Sequence, residues 1–241
     1  MRAALSVLLG AILSLIAATA AQVQARDATY VLAATWQPAF CELRSRLPEC
    51  RALGPSDPGA TAFSLHGLWP QPRGNVYCGV DPDTRALDEA GRWEDLPPVP
   101  LAEETRSALA VAMPGATSHL DRHEWVKHGT CYGADPETYY RDSLRLLAAL
   151  NESALGRLFA DAIGGRLDAD AIHAATELAF GPGAARRLEI VCRLDGPRRL
   201  IVELRLELAA PLDRPLPEIV ADAPPRPAGC ESGIVDPVGA Q

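Results

Sequence analysis

The stretch Phe63-Ser64-Leu65-His66-Gly67-Leu68-Trp69-Pro70-Gln71 carries the change of pattern on which the fold reading turns. Residues 62–66 alternate apolar and polar, the period of a strand with one buried face. Phe63 and Leu65 therefore point to a core, and Ser64 and His66 to the other side. At Gly67-Leu68-Trp69-Pro70 the alternation is lost and the strand is expected to break. Upstream, residues 29–36 (Thr-Tyr-Val-Leu-Ala-Ala-Thr-Trp) read as a first strand, joined to the second by a proline- and turn-rich segment. Downstream, residues 70–100 read as an irregular stretch, too long for a plain connector and expected to wall a cleft. Helical patterns follow at 101–113, 119–131, 136–150, 152–163 and 168–179, with Asp135-Pro136 and Asp168 as starts. Two more strands, 187–195 and 198–208, are joined at Gly196-Pro197 as a hairpin. Strands before and after a helical middle predict an α+β fold rather than repeating βαβ units. The tail from Pro211 holds seven prolines and reads as irregular, tied down by Cys230.

The chemistry concentrates in His123-Glu124-Trp125-Val126-Lys127-His128-Gly129-Thr130-Cys131. This run contains two of the five histidines and the only lysine of a chain that otherwise uses 22 arginines. A compact ammonium in an arginine-preferring sequence points to a chemical need at that spot. On a helix over 119–131, steps of three and four residues put Glu124, Lys127 and His128 on one face, with His123 above Lys127. A carboxylate, an ammonium and imidazoles brought together suit charge stabilisation and proton transfer near neutral pH. The spacing is not that of the zinc motif His-Glu-x-x-His, because the second histidine comes five residues after the first. For Glu124 and Lys127 alone the competing reading is a solvated ion pair. For His66 it is a satisfied core histidine, which the predicted polar-side orientation weakens.

Residues 1–25 read as a secretory signal, with Arg2, an apolar stretch from Ala3 to Ala18, and cleavage after Ala25 or Ala21. The apolar run is short for a membrane span, although an uncleaved anchor is the alternative. What remains, residues 26–241, fits one domain, secreted or periplasmic, and a monomer is expected. All six cysteines (Cys41, Cys50, Cys78, Cys131, Cys192, Cys230) fall in that part, and an even count in an exported chain points to three disulfides. A zinc cluster is the other use of six cysteines, but no Cys-x-x-Cys pair supports it. The formal charge is -8, and becomes -9 once Arg2 leaves with the signal. Such acidity argues against sequence-independent grip on nucleic acid over a broad face, so a polyanion would have to meet a local cationic pocket.

Taken together, the segments 63–71 and 123–131 resemble the two active-site segments of the ribonuclease T2 family, in the family's order. The likeness extends to Trp36-Gln37-Pro38 ahead of Cys41 and Cys50, to Cys78, and to Ile190-Val191-Cys192 with a late Cys230. It is loose over 79–118 and 209–241. It implies a central antiparallel sheet packed with several helices, stabilised by disulfides Cys41–Cys50, Cys78–Cys131 and Cys192–Cys230. It also implies an endoribonuclease that needs no metal and no cofactor. In that chemistry a nucleotide's 2′-hydroxyl attacks its own 3′-phosphate, leaving a 2′,3′-cyclic phosphate that later hydrolyses to a 3′-phosphate. By position His128 resembles the base, His66 the acid and His123 a phosphate holder, while Lys127 and Glu124 stabilise the transition state. Trp69 resembles an aromatic that stacks a substrate base, its alternative being a core residue, and Tyr77 is a second wall. Gln71 stands where many members carry an aspartate used in base recognition, a departure that implies weak or broad base preference. DNA lacks the nucleophile and is not expected to be cut. Two other functions stay open at this level: a secreted RNA-binding protein that does not rely on catalysis, and a metal-dependent phosphoesterase using His123, His128 and nearby acids.

Overall fold

The structure, a computed structural model, describes residues 28–239, so the signal reading lies outside the described residues. Strand β1 (Thr29–Thr35) pairs antiparallel on one edge with β2 (Ser64–Pro70) and on the other with the long β5 (Arg198–Ala209). Strand β4 (Leu188–Asp195) forms the expected hairpin with β5. Two short strands complete the sheet: β6 (Ser232–Ile234) joins β5 in parallel at Leu200, and β3 (Arg166–Asp168) pairs antiparallel with β6. The sheet is thus antiparallel apart from that pairing and an isolated parallel bridge from Ile190 of β4 to Gly229, and the α+β expectation holds.

Strand β2 does not break at Gly67. It runs on to Pro70, with Gly67, Leu68, Trp69 and Pro70 opposite Ala33, Leu32, Val31 and Tyr30. Proline is tolerated because β2 is an edge strand, where its missing N–H removes no ladder bond on the outer side. The alternation is lost for a different reason. Ala33 pairs with Gly67 and Ala34 with Leu65, so His66 is an extra residue in a β-bulge. The bulge keeps Phe63, Leu65 and Leu68 in the core and re-aims His66 toward the face that also carries Trp69. On β5 the same period leaves Leu204, Leu206 and Leu208 buried in the core and sets Glu203, Arg205 and Glu207 on the opposite face.

The predicted helices appear as α4 (Glu103–Ala112), α5 (Leu120–Lys127), α6 (Pro136–Asn151), α7 (Ala154–Asp161) and α8 (Ala169–Phe180). Asp135 and Asp168 start α6 and α8, their carboxylates accepting from the Thr138 and Ala171 amides. Four helices lie where irregular chain was expected: α1 (Gln37–Leu43), α2 (Pro48–Ala52), α3 (Pro82–Glu89) and α9 (Leu216–Ala221). All four carry proline in the first turn, where its amide would be unpaired anyway, so prolines that read as breakers are starters.

The three disulfides pair as the family resemblance implied, with Cα–Cα separations of 5.0, 5.0 and 6.1 Å in chain order. Cys78–Cys131 closes 53 residues and links the loop after β2 to the end of the α5 region. On the chain-entropy model, closing a loop of that length stabilises by about 4 kcal/mol.

The C-terminal tail is not loose. Asp236 is fully buried, accepts the Trp36 indole N–H on its backbone carbonyl, and faces Arg198 together with Glu42 and Asp195. Its Oδ2 has no partner among the described residues. Burial pushes the Asp236 carboxyl up to about 6; Glu42 and Asp195 add to the rise and Arg198 opposes it. A carboxyl raised in the folded state binds its proton more tightly there than when unfolded. Its contribution to stability is therefore full below 3.8 and lost as pH rises through about 6. Asp236→Asn is expected to flatten this part of the Tm-versus-pH curve, which thermal melts across that window measure.

Candidate active site

Two structural pieces bring the sequence-predicted residues together. The β2 bulge supplies His66 and, one turn of the pleat later, Trp69. Helix α5 supplies His123, Glu124 and Lys127, and His128 follows at its C-terminus with its amide still donating to the Glu124 carbonyl. The helix ends at Lys127 rather than at 131, and a short 3₁₀ turn, Gly129–Cys131, completes the segment. Glu124 makes no ion pair with Lys127 or His128 among the described residues. Its carboxylate, on a residue only 1% exposed, accepts from the Trp69 indole N–H at 2.8 Å and lies 3.6 Å from His66 Nε2 and 3.9 Å from His123 Nε2. Gly67 makes this approach possible, since a Cβ there would lie 1.9 Å from Glu124 Oε2.

Both flanking histidines are held from behind by a carboxylate. His66 Nδ1 lies 2.5 Å from Glu203 Oε2, and His123 Nδ1 lies 2.7 Å from Asp88 Oδ1. Burial pushes the Glu203 and Asp88 carboxyls up, but hydrogen bonds from the histidines and nearby positive charge leave both below their ordinary values. Ionised carboxylates only accept, so each Nδ1 carries the proton and each Nε2 faces Glu124. Glu203 also accepts from Arg205 Nε at 2.7 Å, and the Arg205 guanidinium lies 5.4 Å from the centre of the Trp69 ring. Asp88 is further held by the Tyr77 hydroxyl at 2.7 Å, and the Trp93 ring stacks on His123 at 4.4 Å.

The imidazoles sit in opposite electrostatic surroundings. For His66 burial opposes the charge, but the hydrogen bond to Glu203 and the fields of Glu124 and Glu203 outweigh it and raise the pKa. For His128 burial and the charges of Lys127, His123 and His66 act in the same direction and lower the pKa to about 3. The Glu124 carboxyl is pushed up by its burial against the pull of His66, His123, Trp69 and Lys127. At neutral pH His128 is therefore neutral with a lone pair to offer, while His66 keeps its proton to higher pH than an ordinary imidazole.

Trp69 is half-buried, with His66 edge-on at 5.1 Å and His128 tilted at 5.5 Å, so it belongs to the site and not to the core. Gln71 turns its amide N–H to the Trp69 carbonyl at 3.2 Å. Tyr77 is tied by its amide to the Lys127 carbonyl and has Arg85 over its ring at 4.9 Å. A cavity of about 670 Å³ opens beside His66, bordered by Glu203, Arg205 and Trp93 and extending past Phe40 to Leu194. Among the described residues no three His, Cys, Asp or Glu side chains are grouped to hold a metal ion, and no helix is long and apolar enough to cross a membrane.

Sequence reasoning missed Glu203, Arg205, Asp88 and Trp93. For the first two a signal existed: charges at 203, 205 and 207 alternate with leucines on a strand between two others, and buried charges require partners. Asp88 and Trp93 carried none, because they lie in the stretch read as irregular.

Comparison with known proteins gives the family and the fold. The profile of the Ribonuclease T2 family matches residues 27–208. Ribonuclease I of Escherichia coli (strain K12) is 30% identical over 233 residues, covering 87% of this chain and 86% of that protein. Intracellular ribonuclease LX of Solanum lycopersicum is 26% identical over 126 residues, half of each chain. Among solved structures, RNase NT in complex with 5′-AMP superposes with a TM-score of 0.56 at 20% identity, covering 88% of this chain and 98% of that one. Ribonuclease MC1 from bitter gourd seeds gives 0.51 at 20% identity, covering 86% and 99%. The chain belongs to the ribonuclease T2 family. It is an endoribonuclease of that family, and its substrate is RNA.

Proposed function

We propose that the protein, secreted or periplasmic and acting as a single catalytic domain, cleaves single-stranded RNA by metal-free transesterification with low base specificity. The opposite surroundings of His128 and His66 carry this reading, since in-line attack needs a base on the nucleophile and an acid on the leaving group. Neutral His128 takes the proton of the 2′-hydroxyl as its oxygen bonds to phosphorus. Protonated His66 gives its Nε2 proton to the departing 5′-oxygen as the P–O bond breaks. The products are a 2′,3′-cyclic phosphate and a free 5′-hydroxyl. Hydrolysis of the cyclic ester to a 3′-phosphate is the same chemistry with water in place of the leaving alcohol.

Charge grows on the non-bridging phosphate oxygens during attack, and Lys127 and His123 offset it. Glu124 works from below, buried between His66 and His123 and fixed by the Trp69 N–H, so that both Nε2 atoms keep their direction. Glu203 is a positioning residue for His66. The half-buried Trp69, with Gln71 and Tyr77 nearby, offers the surface for a substrate base, and the leaving nucleoside departs on the His66 side.

The test is cleavage of a short RNA in excess EDTA with the product ends identified by mass spectrometry. A 2′,3′-cyclic end formed by the parent and not by His128→Ala supports the reading; activity that returns only with added metal sinks it. The Gln71 amide both donates and accepts, so rates on the sixteen dinucleotides are expected to vary modestly, and dominance by a single base would contradict this.

A further inference from the structure

The cavity beside His66 does not end at the groups that serve the reaction. Its lining joins His66 and the buried Glu203 to apolar side chains such as Phe40 and Leu43, and it also includes two arginines, Arg44 after α1 and Arg193 in β4. Both arginines are exposed. The hydrogen bonds they make run to neighbouring backbone carbonyls, from Arg44 to Leu43 and from Arg193 to Cys192. Most of each five-donor fork is left over. By contrast Arg198 and Arg205 of β5, and Arg226 beside the sheet, each pair with at least two carboxylates. The acids that line the same cavity are already occupied, Glu49 by the Ser118 hydroxyl and Glu203 by His66 and Arg205. In a chain of formal charge -8, two exposed arginines on one cavity, neither with a carboxylate partner among the described residues, form a local cationic patch.

We propose that Arg44 and Arg193 form a subsite for the phosphate that follows the leaving nucleotide, the next phosphodiester on the 3′ side of the cleaved bond. The inference rests on the transesterase reading, because it is His66 as acid that fixes which side of the cavity receives the departing strand. The one cavity holds what the departing RNA strand requires: a proton donor for the 5′-oxygen, apolar surface for a nucleoside, and cations for a phosphate. It also resolves how an acidic protein holds a polyanion, by cations placed along the strand and not over the whole surface.

The test compares three substrates that each carry one ribose: a dinucleotide, its extension by two deoxynucleotides on the 3′ side, and its extension by two on the 5′ side. For the parent protein the 3′ extension is expected to lower KM by on the order of tenfold, as two charge-assisted contacts would. In Arg44→Ala/Arg193→Ala that gain should disappear, with kcat/KM on the dinucleotide and the effect of the 5′ extension unchanged. The salt dependence of log KM for the 3′-extended substrate should also weaken by roughly 0.7 per lost contact. No gain from 3′ extension in the parent, or a gain that survives the double substitution, overturns the subsite. Failure to cleave even the dinucleotide would overturn the transesterase instead. The subsite is then judged by anisotropy of the all-deoxy tetranucleotide and dinucleotide, since the tetranucleotide must bind more tightly to the parent and equally weakly to the variant.

Discussion

His128→Ala is expected to lower kcat/KM on RNA by on the order of a thousandfold at neutral pH, within the range that a positioned general base contributes. The size follows from the state of the imidazole. Because burial and the neighbouring cations hold its pKa at about 3, essentially every molecule presents a neutral base, and no waiting fraction is lost to protonation. Burial is moderate and the ring closes no hydrogen bond through Nδ1 among the described residues, so the fold should tolerate the substitution. Circular dichroism and Tm of the variant close to those of the parent, together with full loss of the cyclic product, would assign the effect to chemistry. Activity within tenfold of the parent would remove His128 from the role of base.

The second large effect is expected from Glu203→Gln, by on the order of 10- to 100-fold at the alkaline end of the profile, as for groups that orient a reacting histidine from behind. In the parent the Glu203 carboxylate raises the His66 pKa against the opposing effect of burial. Removing its charge leaves burial and Arg205 acting with less opposition, so the protonated acid should be lost at lower pH. The alkaline limb of kcat/KM therefore moves toward acid, while rates on the acid side change little. The overall profile is expected to be bell-shaped with its optimum below neutrality, because the two histidines must differ in protonation and Glu124 must keep its charge. An unshifted alkaline limb in Glu203→Gln would mean that Glu203 serves only the structure. A small residual effect with full rescue in Glu203→Asp would instead argue that charge, not reach, is what His66 requires.

Much of the fold was legible locally. The five long or medium helices, the first strand and the β4–β5 hairpin all follow from period and caps, because 3.6- and 2-residue repeats and Asx starts are properties of adjacent residues. The site was legible to the same extent: two short segments held His66, Trp69, His123, Glu124, Lys127 and His128, whose residue types already define an acid, a base and cations.

What the sequence could not determine is which of these groups meet, and in what protonation state. Glu124 meets His66 and His123 and not the partners that helical spacing offered it, because β2 packs against α5 and brings His66 and Trp69 to its carboxylate. The bulge at His66 is invisible to a period count, since it exists only in the pairing with Ala33 and Ala34. Glu203 lies 137 residues from His66 in the chain and Asp88 35 from His123, so the contacts that fix both tautomers arise only when β5 and α3 pack beside the site. A pKa depends on burial and on charges within a few ångströms. For this reason the sequence by itself determined the residues able to do the chemistry, and only the tertiary structure decided that His66 holds its proton more tightly than an ordinary histidine and His128 less tightly.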